Sequence, residues 1–412
     1  MIRQLIGWLG ILVLSTSSVA VAGEPGSTHT LSTVLELALA HNPAMAGAQG
    51  TMSQSHGQQV AAGAYLNPSI SGAAGRGAIR DPSNGVKMTE RTVTVEQPLE
   101  WQGKRRARQQ AADAGAAGAS AAMEETRLNV IAEAKIAFYQ VLLAQRDVEL
   151  AGQHLTMVEE VLKAVKARAA AGDATVFETM KATVEVQKAK KEVARAQNAL
   201  VVVRAKLDMV TAGMLGNQFS LQGDFESVRQ GLDLDVLAAR AMEQHPTLRR
   251  LSKLVEQAQF SATFERESRV PNVTVQGSYH REAGDESVTA GLSVPLPLWY
   301  RRQGEIESAL GARHRAEAER LRAQNEITQA ITQHVQDVRT ANEQLQVFET
   351  GLLKQAEQTL RVARVSFQQG AASLLDLLDS QRVYRQTLLE YVQARADLSI
   401  ALARLERAVG GV

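Results

Sequence analysis

Few residues of this 412-residue chain combine the types and spacings that chemistry requires. There is no cysteine, which excludes disulfides, thiolate metal sites, cysteine nucleophiles and an amino-terminal lipid on cysteine. The eight histidines show no paired ligand spacing, and no H-E-x-x-H, P-loop or G-x-S-x-G motif occurs. We therefore expect neither an enzyme nor a resident metal or cofactor.

Two carboxylates remain as candidates. Asp376 and Asp379 lie in "LLDLLDSQ", a few residues after Gly370, and Asp173 and Glu178 are weaker candidates after a second glycine. Taken alone, such residues can cap the start of a helix or simply be solvated. Whether these carboxylates can bind or attract cations depends on the helices that position them. Nucleic acid is not expected as a partner, because 45 basic and 44 acidic residues leave a net charge of +1.

The first 22 residues predict a cleaved export signal. Arg3 is followed by an apolar run from Leu5 to Leu14 and by the small-x-small sequence Ala20-Val21-Ala22. A membrane-anchor helix is the alternative, but the run is about half of the roughly 20 residues that such a helix needs. We expect an exported chain without a lipid anchor. Later segments lack 18 consecutive apolar residues, so membrane insertion would have to use strands.

The prolines predict where long helices form. All nine lie outside 99–245 and 298–412, and a proline inside a helix costs about 3 kcal/mol. We expect helices over about 102–170, 175–210, 302–369 and 373–408. Between Ala134 and Val165, alternating steps of three and four positions along the chain reach only apolar residues, a heptad pattern that is typical of a coiled coil. The first helix would be roughly 100 Å long. In the expected helix over 302–369, the row of apolar heptad positions, its seam, changes register after Leu352.

Landmarks recur at similar spacings, which predicts an internal duplication. The pairs and their separations are Pro43 and Pro246 (203 residues), Pro68 and Pro271 (203), Pro98 and Pro297 (199), and Gly172 and Gly370 (198). We expect repeats over 23–210 and 232–412, joined by a linker over 211–231. Each repeat would contain a helix that opens at Pro43 or Pro246, followed by a two-stranded hairpin, a long helix, a glycine break and a return helix.

The strands are expected over about 64–98 and 271–297. Val273, Val275 and Tyr279 alternate with polar residues, so each strand has one apolar and one polar face. That pattern fits a transmembrane barrel, or a small soluble sheet packed on helices. The export signal and the long helices favour the transmembrane barrel over the soluble sheet. Because four strands are too few to close a barrel, we expect several chains to share one.

This order of elements, with "VFETMKA" and "LLDLLDSQ" after the two glycines, resembles the TolC-like outer-membrane efflux family over essentially the whole exported chain. The segment "VPLPLWYRRQGEIESA" is most similar to the branch that serves heavy-metal and cation efflux pumps of the resistance-nodulation-division (RND) type. The resemblance implies a mostly α fold with a β-barrel part. In a homotrimer, each chain would give four strands to a 12-stranded outer-membrane barrel and four helical strands to a periplasmic α-helical barrel.

The resemblance also implies a hinge where barrel strands become tunnel helices, at Pro98 and Trp101 and at Pro295, Pro297 and Trp299. Prolines end strand pairing and disfavour helix immediately before them. The tryptophans would lie at the membrane interface, with core packing as the alternative. The cations that follow would contact outer-membrane lipid phosphates or form a solvated face: Lys104, Arg105, Arg106, Arg301 and Arg302.

By the same resemblance, the glycine breaks are hairpin tips at the periplasmic end. Gly172, Asp173 and Gly370 would dock onto a periplasmic membrane-fusion adaptor. Asp376 and Asp379 match the family's acidic gate, so three copies would form two carboxylate rings that attract cations and raise each other's pKa.

One departure affects this gate. Phe367 and Ala372 stand where some members of the family have a tyrosine and an arginine that latch it shut, so the latch must differ.

The function that we expect is a passive duct that carries heavy-metal cations across the periplasm and the outer membrane, with energy supplied by an inner-membrane RND pump. A duct for organic drugs or type I secretion substrates is the alternative within this fold. A soluble periplasmic coiled-coil scaffold is the alternative from another class.

Overall fold

A computed structural model describes residues 27–78, 87–216, 218–227, 233–282 and 284–411. The expected export signal (1–22) and part of the expected linker (211–231) lie outside the described residues.

The first part of the chain contains two short helices, three strands and two long helices. Its elements are β1 (Thr28–His29), α1 (Leu31–His41), α2 (Pro43–Gly63), β2 (Ser69–Ala78), β3 (Lys87–Leu99), α3 (Gln102–Ala170) and α4 (Val176–Val210). A two-residue strand, β4 (Ser220–Leu221), pairs in parallel with β1.

The second part follows the same order of helices and strands. Its elements are α5 (Leu234–Gln244), α6 (Pro246–Glu267), β5 (Val273–Glu282), β6 (Asp285–Ser293), α7 (Gln303–Val347), α8 (Leu353–Gln368) and α9 (Leu374–Val409). The helices at Pro43 and Pro246 are thus each preceded by another short helix, α1 or α5, which the sequence analysis did not predict. Strands as short as β1 and β4 carry no periodic signal, so they were not predicted either.

The helix α3 runs without a break from Gln102 to Ala170 and forms the spine of the molecule. It packs against α2 and α6 along one half and against α4 and α9 along the other. Its small residues let these neighbours approach closely, since Ala134, Ala137 and Ala144 are all buried in the first core cluster. A second cluster is formed by α5, α6, α7 and α9.

The long helix predicted over 302–369 is interrupted, which corrects that prediction. A π-helical turn over Phe348–Leu352 separates α7 from α8, and the backbone leaves helical geometry at Gly351. A π turn adds one residue to the helix. Buried residues continue on both sides of the turn, with Leu345 before it and Ala356 and Leu360 after it.

The larger sheet has the strand order β2-β3-β5-β6, and every neighbouring pair is antiparallel. The strand β3 leads through only two residues into α3, whereas residues 294–302 connect β6 to α7. Among the described helices, none is sufficiently long and apolar to cross a membrane.

Candidate functional site

The sheet has one polar and one apolar face. On the polar face, Thr94 Oγ1 lies 3.0 Å from Ser278 Oγ, and Thr92 Oγ1 lies 2.9 Å from His280 Nδ1. The apolar face is uncovered: Ile70, Val288 and Leu292 are 76%, 82% and 72% exposed. Exposed apolar area of this kind indicates a contact with lipid or with another chain.

A row of carboxylates crosses the polar face at the end of the sheet away from the helices. Glu90 lies opposite Glu282, which in turn lies opposite Asp285 on β6. Like charges directly opposite one another destabilise a sheet. The strip therefore carries negative charge, with His280 beside it at 3.4 Å from Glu282 and 3.8 Å from Glu90.

Both edges of the sheet are free in the described part of the chain, because β2 pairs only with β3 and β6 only with β5. A free edge presents unpaired backbone N–H and C=O groups. The sheet can therefore be extended on both sides by other chains.

The first strand-to-helix junction contains Pro98 and Trp101. Pro98 does not end the pairing of β3, because it lies opposite Thr274 and the strand continues for one more residue. Trp101 Nε1 donates a hydrogen bond to Glu267 Oε2 on α6 (2.8 Å). This bond crosses the start of α3, where Gly103 leaves room for the indole ring.

The second junction contains Pro295, Pro297 and Trp299, which lie in the connection after β6. The Trp299 side chain is 91% exposed, so core packing within one chain does not explain it. Tyr300 folds back over the start of α7: its hydroxyl donates to Glu305 Oε2 (2.6 Å) and accepts the Gly304 N–H (3.1 Å).

Several cations near the junctions are engaged within the chain. Lys104 Nζ donates to Asn272 Oδ1 (2.8 Å), and Arg105 donates to the Gly63 carbonyl (2.6 Å). Arg302 is bonded to Glu265. Arg106 and Arg301 are exposed. Of the five cations, these two are the best placed to contact lipid.

The two tips share one turn. Gly172 and Gly370 have left-handed φ values of 87° and 75°, and each terminates a helix. The N–H groups that follow return to the helix, from Asp173 to the Arg168 carbonyl (2.9 Å) and from Ala371 to the Ser366 carbonyl (2.8 Å). These bonds are those of a Schellman motif.

Each return helix begins with a capping box, formed by Thr175 with Glu178 and by Ser373 with Asp376. The Asp376 carboxylate accepts the Ser373 N–H (3.0 Å) and hydroxyl (2.6 Å). These hydrogen bonds hold the pKa of Asp376 below its usual range. Asp376 is therefore a helix cap as well as a candidate gate residue, and the S-x-x-D spacing could have revealed this in the sequence.

Asp379 is exposed and forms an ion pair with Arg382. Phe367 is buried with Leu374 and Leu377 at the core of the tip, and the guanidinium of Arg168 lies 5.2 Å from the centre of its ring. Arg168 therefore connects the end of α3 to the end of α8. The structure brings Asp376 and Asp379 to one tip but places the junction residues at the opposite end of the long helices.

No cluster of three or more histidine and carboxylate side chains suited to a metal ion occurs among the residues that the structure describes.

The sequence profile of the family described as "Outer membrane efflux protein" matches residues 34–213 and 237–411, and the chain belongs to this family. The family resemblance inferred from the sequence is confirmed, as is the expectation of a mostly α fold. The family consists of passive channels, so the protein is not an enzyme.

Two curated relatives and one solved structure are similar over most of their length. The cobalt-zinc-cadmium resistance protein CzcC of Cupriavidus metallidurans is 25% identical over 92% of this chain and 90% of its own. The nickel-cobalt-cadmium resistance protein NccC of Alcaligenes xylosoxydans xylosoxydans is 24% identical over 79% of this chain and 74% of its own. The structure of CusC superposes with a TM-score of 0.79 at 15% identity and covers 93% of this chain and 92% of that one.

Proposed function

We propose that three copies of this chain form a passive duct through the outer membrane and the periplasm. The observation that carries the proposal is the four-stranded sheet with two free edges and an uncovered apolar face, joined directly to the long helices. Pairing β2 of one copy with β6 of the next closes a 12-stranded barrel and removes all free edges. The apolar face then contacts lipid, and the polar face lines the lumen.

The junction residues Pro98, Trp101, Pro295, Pro297 and Trp299 form the hinge between the barrel and the tunnel in this arrangement. The exposure of Trp299 supports a position at the membrane interface, where the indole ring is favoured. Arg106 and Arg301 contact lipid phosphates there.

The cargo that we propose is heavy-metal cations. The support is the names of CzcC and NccC, which are resistance proteins for divalent metals. The row of Glu90, Glu282 and Asp285 is suited to such a cargo, because three copies surround one end of the lumen with negative charge. A periplasmic adaptor and an inner-membrane RND pump supply the cargo and the energy.

The tips are the proposed adaptor and gate region. Gly172, Asp173 and Gly370 shape the turns that meet the adaptor, and apolar side chains beside them are exposed, including Phe177 at 72% and Leu375 at 57%. Asp376 and Asp379 form the two acidic rings of the gate. Repulsion between the copies opposes the lowering of the Asp376 pKa that Ser373 causes within one chain.

The chain is organised as two repeats, over 23–210 and 232–412, with a linker over 211–231. The two successive matches to one family profile support this organisation. Residues 1–22 are removed as the export signal, and the protein reaches the outer membrane without a lipid anchor.

Single-channel recording in planar bilayers tests the duct and the gate together. We expect a cation-selective channel in the detergent-extracted protein. The double substitution Asp376→Asn with Asp379→Asn should raise the conductance and reduce the cation preference, because the two rings lose their charge. Ser373→Ala is the matched control: it removes the helix cap but keeps both carboxylates, so selectivity should not change.

The outcomes separate the alternatives. Unchanged selectivity in the double variant would contradict the gate assignment and leave the duct intact. A protein that is extracted without detergent and never conducts would overturn the duct in favour of a periplasmic scaffold.

Growth assays test the cargo. In a strain that lacks its own outer-membrane metal channel but keeps the cognate pump and adaptor, expression of this protein should restore growth in cobalt, zinc or cadmium salts. The control is the same strain exposed to organic toxins. Restored tolerance to the toxins alone would replace metals by organic molecules as the cargo.

A further inference from the structure

Asn42 and His245 occupy equivalent joints in the fold. Asn42 lies between α1 and α2, and His245 lies between α5 and α6. Their backbones are nearly identical, with φ and ψ of −60° and 127° for Asn42 and −62° and 125° for His245. Each side chain accepts the N–H of the residue two positions later, at 2.8 Å from Ala44 and 3.2 Å from Thr247. Each therefore caps the helix that follows it.

Each side chain also reaches the end of a distant helix. Asn42 Nδ2 donates to the Val210 carbonyl at the end of α4 (2.8 Å). His245 lies against the end of α9, beside the Arg407 carbonyl. The contact is close, because a Cβ atom on Gly410 would lie 3.1 Å from the Cα of His245. One side chain thus joins α2 to α4, and the other joins α6 to α9.

The two side chains differ in how they respond to acid. An amide keeps one acceptor oxygen and its donor nitrogen at every relevant pH, whereas a neutral imidazole has one donor and one acceptor and an imidazolium has two donors. Protonated His245 can still donate to Arg407, but it can no longer accept the Thr247 N–H. We propose that His245 makes the α6–α9 joint acid-sensitive, while Asn42 keeps the α2–α4 joint independent of pH.

The surroundings of His245 favour the neutral ring. The side chain is 7% exposed, and its burial lowers its pKa, although the Arg407 carbonyl and Glu125 act in the opposite direction. Glu125 is already engaged by Thr247 Oγ1 (2.8 Å) and Arg250 Nε (2.6 Å). Charged groups of the elements packed around the joint are Glu125 on α3, Arg240 and Glu243 on α5, Arg249 and Arg250 on α6, and Arg407 on α9.

Protons can reach the joint. An open pocket of about 760 Å³ borders it and is lined by Gln244, Pro246, Arg407 and Gly410. Because the pKa of His245 is lowered in the folded chain, the ring contributes stability above its unfolded pKa of about 6.5. That contribution is lost as the pH falls from 6.5 toward the folded pKa, since the unfolded chain takes up the proton first.

The experiment compares the full-length protein with His245→Asn, which copies the side chain of the other joint. Hydrogen exchange of the amides over 246–250 and 408–411 is measured at pH 7.5 and pH 5. Comparing the two proteins at the same pH cancels the intrinsic pH dependence of exchange. We expect equal protection at pH 7.5, and several-fold faster exchange in the wild type than in His245→Asn at pH 5.

The converse variant, Asn42→His, provides a second test that does not depend on His245→Asn. It should introduce acid-sensitive exchange over 43–47 and 208–212, a region that we expect to be insensitive in the wild type.

Thermal unfolding of the wild type and His245→Asn provides a further measurement. As the pH falls from 6.5 toward the folded pKa of His245, the folding equilibrium constant of the wild type should fall relative to that of His245→Asn by up to about tenfold per pH unit. The proposal is wrong if wild type and His245→Asn respond to acid equally, or if Asn42→His introduces no response.

Discussion

Two glycines show how single residues fix the strand-to-helix junctions. A Cβ atom on Gly103 would lie 2.2 Å from Glu267 Oε2 and 2.6 Å from Trp101 Nε1. On Gly304 it would lie 2.7 Å from the Tyr300 hydroxyl. At both junctions an aromatic side chain therefore folds over the helix start, where a Cβ atom would force the polar ends of these side chains to move. The motif Q-G, shared by "WQGKRR" and "RRQGEI", is the sequence signal of this arrangement.

We expect Gly103→Ala to break the bond between Trp101 and Glu267 and to destabilise the protein by about 1–3 kcal/mol, because the methyl group overpacks the junction. Gly152→Ala is the control in the same helix. Nothing lies within 4 Å of its Cβ position, so the change should be neutral or stabilising by about 0.5–1 kcal/mol. Thermal unfolding in detergent measures both. Equal effects of the two changes would show that the aromatic contact does not constrain the junction.

At the scale of the elements, the π turn in the α7–α8 helix is the main departure from regular geometry. Its residues, Phe348–Leu352, include no buried side chain, whereas the helices on both sides bury residues at regular intervals. The turn therefore interrupts the helix at a point where no side chain is buried. Leu345 and Ala356 on its two sides are 11 residues apart, about three helical turns, so both lie on the apolar side.

Gly351→Ala should consequently be tolerated. We expect unchanged stability or a gain of about 0.5–1 kcal/mol, because nothing lies within 4 Å of the Cβ position and alanine favours helix over glycine. Leu345→Ala is the control on the buried side of the same helix, and it should destabilise the protein by about 2–5 kcal/mol. Thermal unfolding measures both, and equal effects of the two changes would refute this account of the turn.

At the scale of the whole molecule, a single chain is incomplete. The sheet presents free edges on β2 and β6, and Val93, Val95 and Leu292 on its apolar face are exposed. In water this surface would promote aggregation. Closure of three sheets into one barrel satisfies the edges and turns the exposed face toward lipid.

Engineered cysteines test this closure, since the chain has none of its own. Ser71→Cys on β2 is combined in turn with Thr289→Cys, Gly291→Cys or Ser293→Cys on β6, because the register between copies is to be determined. At least one pair should cross-link into dimers and trimers on a denaturing gel. Each single-cysteine protein serves as a control and should stay largely monomeric. Failure of every pair in bilayer-reconstituted protein would exclude β2–β6 closure over this register range.

Much of the fold follows from local features of the sequence. Proline-free stretches and heptad spacing predicted helices over about 102–170 and 175–210, and the structure has α3 at Gln102–Ala170 and α4 at Val176–Val210. These predictions work because helix breaking by proline and capping by Thr175 or Ser373 act within a few residues. The change of seam register after Leu352 was also visible in the sequence. The π turn at Phe348–Leu352 was not predicted.

The tertiary structure decided what depends on contacts between distant residues. The β1–β4 pair, the bond from Trp101 to Glu267 and the bond from Asn42 to Val210 join residues that are 166 or more positions apart. No local pattern encodes such a partner, because each contact forms only when several helices have packed. Local features of the sequence were sufficient for the strands, for most of the long helices, for the glycine turns and for the capping box of Ser373 with Asp376. Only packing brings the buried side chains of Asn42 and His245 against the ends of distant helices.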